Sequence, residues 1–167
     1  MMSKETARIV LQGLKEAGID LVVSLPDSAL KELNQLVKND PELPYVPVCN
    51  EGDGIAICGG AWLGGRRPAM LMENSGLSLG AYALRRSALT FGFPMLLLMS
   101  YRGEFGEARW FSATNGWGIE PLLQALRIRY TVIRKPEEIK AAIVKVQASL
   151  SSIQLPAAIL FGGEAIW

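Results

Sequence analysis

Asn50-Glu51-Gly52-Asp53-Gly54 carries the densest chemistry in the sequence, and the residues after it are nearly all small: Ala56, Cys58, Gly59, Gly60 and Ala61. The spacing predicts a helix over 52–63. Glycine inside a helix costs roughly 1 kcal/mol per residue relative to alanine, a cost usually offset where another backbone or a ligand comes close. Two readings of the acids stand side by side. In one, Asn50 caps the helix and Glu51 and Asp53 complement its dipole. In the other, a carboxyl at the helix start works on a ligand. Glu73-Asn74-Ser75-Gly76 sets an acid, an amide and a hydroxyl on a turn, residue types that also suit an ordinary turn. The stretch 101–115 holds Arg102, Glu104, Glu107, Arg109, Trp110 and Phe111. A loop of that length is a lid, a binding loop or a partner contact, or its aromatics simply pack beneath it. The sequence contains no histidine, which excludes a Ser-His-Asp triad, a Cys-His dyad and a histidine-ligated metal within this chain.

The elements that must position these residues alternate. Ala7, Val10, Leu11, Leu14 and Ala17 recur at helical spacing, with Gly18 placed to end that helix. Short apolar runs at 21–25, 45–48, 68–72, 95–100, 130–133 and 157–161 read as strands. Between them, helices are expected over 52–63, 79–89, 120–126 and 136–150, and a further one carries Leu30, Leu33, Leu36 and Val37 with Asp27 as its N-cap. Pro136 suits a first helical turn. Strands apolar throughout and separated by helices imply a three-layer α/β/α sandwich around a mostly parallel six-stranded sheet. Ligands bind such sheets beyond the carboxyl ends of the strands, which selects Pro26-Asp27-Ser28, Asn50-Glu51-Gly52, Glu73-Asn74-Ser75-Gly76 and Tyr101-Arg102-Gly103-Glu104.

Half of the residues are apolar, a fifth are charged and the formal net charge is +1. That is globular composition, with no electrostatic pull toward nucleic acid or an anionic membrane. The length suits one domain, 1–167. Cys49 and Cys58 lack metal-ligand spacing and make no disulfide framework, so a reducing cytoplasm is the expected setting. The apolar runs are too short to span a bilayer, and the polar start Met1-Met2-Ser3-Lys4-Glu5 is unlike a signal peptide.

Taken in order, Leu25-Pro26-Asp27-Ser28-Ala29-Leu30-Lys31, Asn50-Glu51-Gly52, Gly59-Gly60-Ala61-Trp62-Leu63-Gly64-Gly65, Glu73-Asn74-Ser75-Gly76-Leu77, Pro94-Met95-Leu96-Leu97-Leu98 and Arg102-Gly103-Glu104 resemble one family. It is the pyrimidine-binding domain of sulfopyruvate decarboxylase and its relative phosphonopyruvate decarboxylase. The resemblance runs from the first helix to the last strand. It implies the alpha subunit of a thiamine-diphosphate-dependent 2-oxoacid decarboxylase. A diphosphate-binding beta subunit would hold the Mg²⁺, and self-association is expected. It implies that Glu51 activates the cofactor and that Pro26, Asn74, Ser75 and Gly76 meet it. Asp27 and Ser28 would line the substrate side of the pocket. Gly52-Asp53-Gly54 imitates the start of the diphosphate motif of thiamine enzymes but lacks its downstream paired asparagines, the next asparagine being the solitary Asn74.

Two departures from the family pattern stand out. Glu73 replaces the family's usual glutamine, and Ser112 falls near the place of a histidine in the phosphonopyruvate branch, leaving no obvious proton donor. Arg102 is the expected partner of a sulfonate, because a guanidinium matches such an oxyanion in fork geometry. Other 2-oxoacids, a carboligase, or a binding or regulatory domain that kept only the fold stay open as alternatives.

Overall fold

The computed structural model describes every residue from Met1 to Trp167. Six strands, β1 (Leu21–Ser24), β2 (Tyr45–Pro47), β3 (Pro68–Glu73), β4 (Leu96–Ser100), β5 (Arg129–Ile133) and β6 (Ala157–Phe161), form one sheet in the order β2-β1-β3-β4-β6-β5. Every neighbouring pair is parallel, so the sheet is wholly rather than mostly so. The helices are α1 (Lys4–Glu16), α2 (Lys31–Lys38), α3 (Glu51–Leu63), α4 (Gly76–Arg86), the short α5 (Ala88–Phe91), α6 (Ala113–Ala125) and α7 (Pro136–Ile153). None is long and apolar enough to cross a membrane.

Successive strand residues point to opposite faces, and both faces are covered. Leu96 and Leu98 of β4 join α1, α2 and α7 through Val10, Leu14, Leu33 and Ile143. Leu97 and Met99 face the other way, onto Ile55, Leu84 and Leu123 of α3, α4 and α6. β4 and β6 are buried along their whole length, as their unbroken apolar sequences require. Burying each such leucine contributes roughly 1.5–3 kcal/mol. β2 and β5 close the edges and are only partly covered.

The boundaries follow local chemistry, with three departures from the sequence reading. Ser3 caps α1 through the Thr6 amide, and Gly18 leaves that helix at φ +71°, a left-handed conformation glycine reaches without strain. Asp27, however, caps nothing: α2 begins at Lys31 with no side-chain cap, and the Asp27 carboxylate accepts instead from the Ala29 amide at 3.1 Å. α4 starts at Gly76, ahead of the expected 79, and breaks at Ser87 before α5. The largest departure is α6, which begins at Ala113 after a short 3-10 turn at Trp110–Ser112. Gly116, Gly118 and Pro121 are helix breakers by composition, yet Pro121 lies inside the helix. Gly116 packs so tightly on the Gly103 backbone that a side chain would overlap it. Cys49 is exposed and Cys58 buried, both as free thiols, and burial pushes the Cys58 thiol up to about 12.

Candidate active site

The chain runs from β1 outward to β2 and then returns past β1 to β3, so β1 and β3 flank a reversal of connection. Crevices of this kind, beyond the carboxyl ends of the strands, are where doubly wound sheets bind ligands. Pro26-Asp27-Ser28 follows β1, Asn74-Ser75 follows β3, Tyr101-Arg102 follows β4, and the N-terminus of α3 carries Glu51.

Asn50 caps α3, its side-chain oxygen accepting from the Gly52 amide at 2.7 Å. The two acids of that first turn then part company. Asp53 is exposed, where it serves the helix dipole, whereas Glu51 is only 6% exposed. Its carboxyl lies against Gly76 at the start of α4, and a Cβ there would overlap it. Gly80, one turn on, similarly leaves room for Ile55. These two glycines let α3 and α4 approach until the Glu51 carboxyl rests against the start of α4. None of the chain's ion pairs engages that carboxyl. A buried acid without an opposite charge is expensive, so dipole complementation alone does not account for its place.

The β3 turn is knitted to its neighbours. The Asn74 amide donates to the Arg102 carbonyl at 2.9 Å, while its Oδ1 is buried with no donor. Ser75 Oγ donates to Glu73 Oε1 at 2.8 Å, and Asn115 Nδ2 approaches the same oxygen at 3.3 Å. Across the crevice, Ser100 Oγ donates to Asp27 Oδ2 at 2.7 Å. Burial pushes the Glu73 carboxyl above the usual range; the Ser75 hydroxyl opposes this and the nearby Asp27 charge adds to it. Pro26 and Ser28 are exposed and, with Asp27, line a groove of about 680 Å³ that continues along α2 to Pro47.

Arg102 is placed differently from the sequence expectation of a guanidinium open to substrate. It is 1% exposed, paired through Nη2 with Glu107, and stacked on the Trp167 ring at 5.1 Å. The second Glu107 oxygen accepts from the Gly103 amide at 2.6 Å. Glu107 thus occupies one arm of the fork, while Nε and Nη1 are buried without partners. Ser112 is also buried, with its carbonyl against Gly103. Sequence reasoning missed the Asp27–Ser100 link and the Arg102–Glu107 pair, since neither spacing carries a periodic signal. It also missed Glu120, which accepts from Tyr101 at 2.7 Å and Tyr130 at 2.8 Å and ties the base of the loop to α6.

Gly103 is the pivot of this loop. At φ +82° it is strained for any other residue, and a Cβ would overlap the Ser112 carbonyl and stand 2.6 Å from the Gly116 nitrogen. Gly103→Ala is expected to destabilise the chain by about 1–3 kcal/mol, the usual cost of overpacking, measured as a lower urea midpoint. A midpoint unchanged from wild type would show that the loop does not pack as described.

No family model matches the sequence. Among characterised proteins, the chain is 31% identical over 151 residues to the sulfopyruvate decarboxylase alpha subunit of Methanococcus maripaludis, covering 90% of both chains. It is 33% identical over 152 residues to the subunit of the same name from Methanocaldococcus jannaschii, covering 91% of this chain and 90% of that one. Phosphonopyruvate decarboxylase of Streptomyces viridochromogenes is 33% identical over 98 residues, which span 59% of this chain and a quarter of that protein. The fold recurs in benzoylformate decarboxylase from Polynucleobacter necessarius, with TM-score 0.76 and 16% identity over 99% of this chain and 31% of that one. It recurs also in 2-oxoglutarate:ferredoxin oxidoreductase from Magnetococcus marinus, with TM-score 0.73 and 17% identity over 96% of this chain and 29% of that one.

Proposed function

We propose that this chain, which belongs to the family of sulfopyruvate decarboxylase alpha subunits, is the cofactor-activating subunit of a thiamine-diphosphate-dependent 2-oxoacid decarboxylase, with sulfopyruvate its first substrate. The observation that carries the reading is Glu51, a buried carboxyl with no charge partner in a cradle that only a glycine at position 76 permits. The whole chain, 1–167, would then act as one pyrimidine-binding domain.

The residues present fit an aminopyrimidine. A ring nitrogen of that group would meet the Glu51 carboxyl. The buried Asn74 Oδ1 is an acceptor still lacking a donor. Pro26, Ser75 and Gly76 would complete the contact from the turns after β1 and β3. When bound, thiamine diphosphate supplies the electron sink for loss of carbon dioxide. Glu51 would hold and return a proton at a ring nitrogen. Asp27 and Ser28 would lie on the substrate side. For Arg102, the free Nε and Nη1 groups are the sites left for an anionic substrate, while Glu107 holds Nη2.

The diphosphate and Mg²⁺ would be held by a beta subunit. No three His, Cys, Asp or Glu side chains converge in this chain, and a hard cation needs several oxygen ligands. The surface supports assembly. Leu79 and Tyr82 of α4 are 67% and 73% exposed, and Phe105, Trp110, Phe111 and Trp117 stand out around the loop after β4. Large apolar groups grouped in this way mark contact surfaces, with a beta subunit or with a second copy. Amide hydrogen exchange across 101–115 is therefore expected to slow when partner and cofactor are added; exchange unchanged on assembly would count against that contact. The reading as a whole is tested by mixing the chain with a diphosphate-binding partner and measuring carbon dioxide from sulfopyruvate. Release from sulfopyruvate supports it, release from phosphonopyruvate alone shifts the substrate, and release from neither removes the decarboxylase assignment.

A further inference from the structure

We propose that the Glu107 carboxylate is a placeholder in an anion receptor made by the Arg102 guanidinium and the Gly103 amide, and that the sulfonate of the substrate displaces it. The identity of the displacing anion rests on the decarboxylase reading above; the receptor and its placeholder do not.

The receptor is defined by its donors. Glu107 Oε1 accepts from Arg102 Nη2, and Oε2 accepts from the Gly103 amide at 2.6 Å, so one carboxylate bridges a side-chain cation and a backbone N–H. The guanidinium is fully buried with Trp167 over its face, and its Nε and Nη1 have no acceptor. A buried donor without a partner costs free energy; an ion pair that served stability alone would meet those donors as well. Every two-point fork that a guanidinium offers an oxyanion includes Nη2, because Nε and Nη1 point to opposite sides. Glu107 therefore sits on the nitrogen that both forks share. A second anion reaching that nitrogen meets like charge at short range, and one of the two must leave.

The chain around Glu107 is built for release. From Phe105 to Phe111 every residue except Glu107 is exposed, and the side-chain hydrogen bonds of that segment all come from the Glu107 carboxylate. Gly106, at φ +102° with open space around it, lets the segment turn without strain. The stem before it is fixed: Glu104 accepts from Arg134 at 2.6 Å and from the Gly163 amide at 2.9 Å. Losing the one carboxylate contact thus frees 105–111 and leaves the fold intact. A carboxylate tethered to its own receptor acts at high effective concentration, so a free carboxylate, with the same two oxygens, offers nothing extra. A sulfonate has a third oxygen, able to reach Nε or Nη1 while the others take Nη2 and the Gly103 amide. Glu107 in this way selects a sulfonate over the carboxylate of a plain 2-oxoacid.

Ethanesulfonate is the probe, with propionate at equal ionic strength as its control. In the wild-type chain, ethanesulfonate is expected to speed amide exchange across 105–111 and propionate to leave it unchanged. Glu107→Gln removes the competing charge. Its melting temperature should fall below wild type and be restored by ethanesulfonate, with half-saturation at a concentration about 10-fold lower than in wild type. Adding Arg102→Gln should abolish the restoration. In the reconstituted complex, Glu107→Gln is expected to lower KM for sulfopyruvate by about 10-fold, the change falling on KM rather than kcat. Exchange indifferent to ethanesulfonate, or moved equally by propionate, overturns the displacement, and this arm decides alone if the variant does not fold. Equal ethanesulfonate affinity in wild type and variant overturns the placeholder. If the chain responds to ethanesulfonate as expected but the complex releases no carbon dioxide from sulfopyruvate, the substrate assignment falls and the receptor stands.

Discussion

Glu51→Gln is expected to lower turnover of the reconstituted complex by about 10²–10⁴-fold, the usual weight of a general acid–base step, while the fold survives. The substitution is nearly isosteric, so the contact with Gly76 is kept. What it removes is the capacity to hold and return a proton. Stability should change little or rise, because a buried carboxyl with no charge partner opposes folding and a neutral amide does so less. That combination separates the proposed role from a structural one. If Glu51 merely complemented the α3 dipole, the amide would cost a few tenths of a kcal/mol in stability and leave turnover intact. The decisive comparison is kcat of the two complexes alongside their urea midpoints, and near wild-type turnover in the variant would end the mechanism.

The division between Glu51 and Asp53 also marks how far the sequence could be read. Both acids sit in one helical turn after a capping asparagine, and nothing in the local pattern says which one is buried. The glycines of α3 and α4 held the answer, since a helix weakened by so many of them must gain something from close approach. Which partner approached them was visible only once α4 lay alongside. The strands were legible because uninterrupted apolar runs have no use outside a sheet covered on both faces, as β4 and β6 demonstrate. α6 was not, because its glycines and proline disguise a helix whose first turn is fixed by the backbone contact between Gly103 and Gly116. The same loop closes over Arg102. A guanidinium after a strand end can face a pocket or the interior, and only the return of Glu107 decides it. Asp27 was misread for a related reason. Its type suits an N-cap, but a serine on a strand two places away in the sheet competes for its carboxylate and wins.

The isolated chain is expected to bind thiamine diphosphate with Kd weaker than about 1 mM, equivalent to ~4 kcal/mol, and to decarboxylate no 2-oxoacid. The reason is an inventory of groups. Gripping a diphosphate with its metal takes carboxylate and amide oxygens for the cation, or backbone amides at a helix start for the phosphates. The helix start nearest the site is that of α3, and its first residue is Glu51, assigned to the opposite end of the cofactor. One stretch cannot hold both ends of an extended molecule. The aminopyrimidine alone gains a few hydrogen bonds and one face of contact, which leaves little surplus after the cost of immobilising the ligand. Affinity should therefore appear only when a partner supplies the diphosphate site, and the linked stabilisation should raise the melting temperature of the complex but not of the chain. Calorimetric titration of the purified chain with thiamine diphosphate and Mg²⁺ decides the matter. A Kd near about 1 µM, or turnover by this chain alone, would show that the site is complete within one subunit.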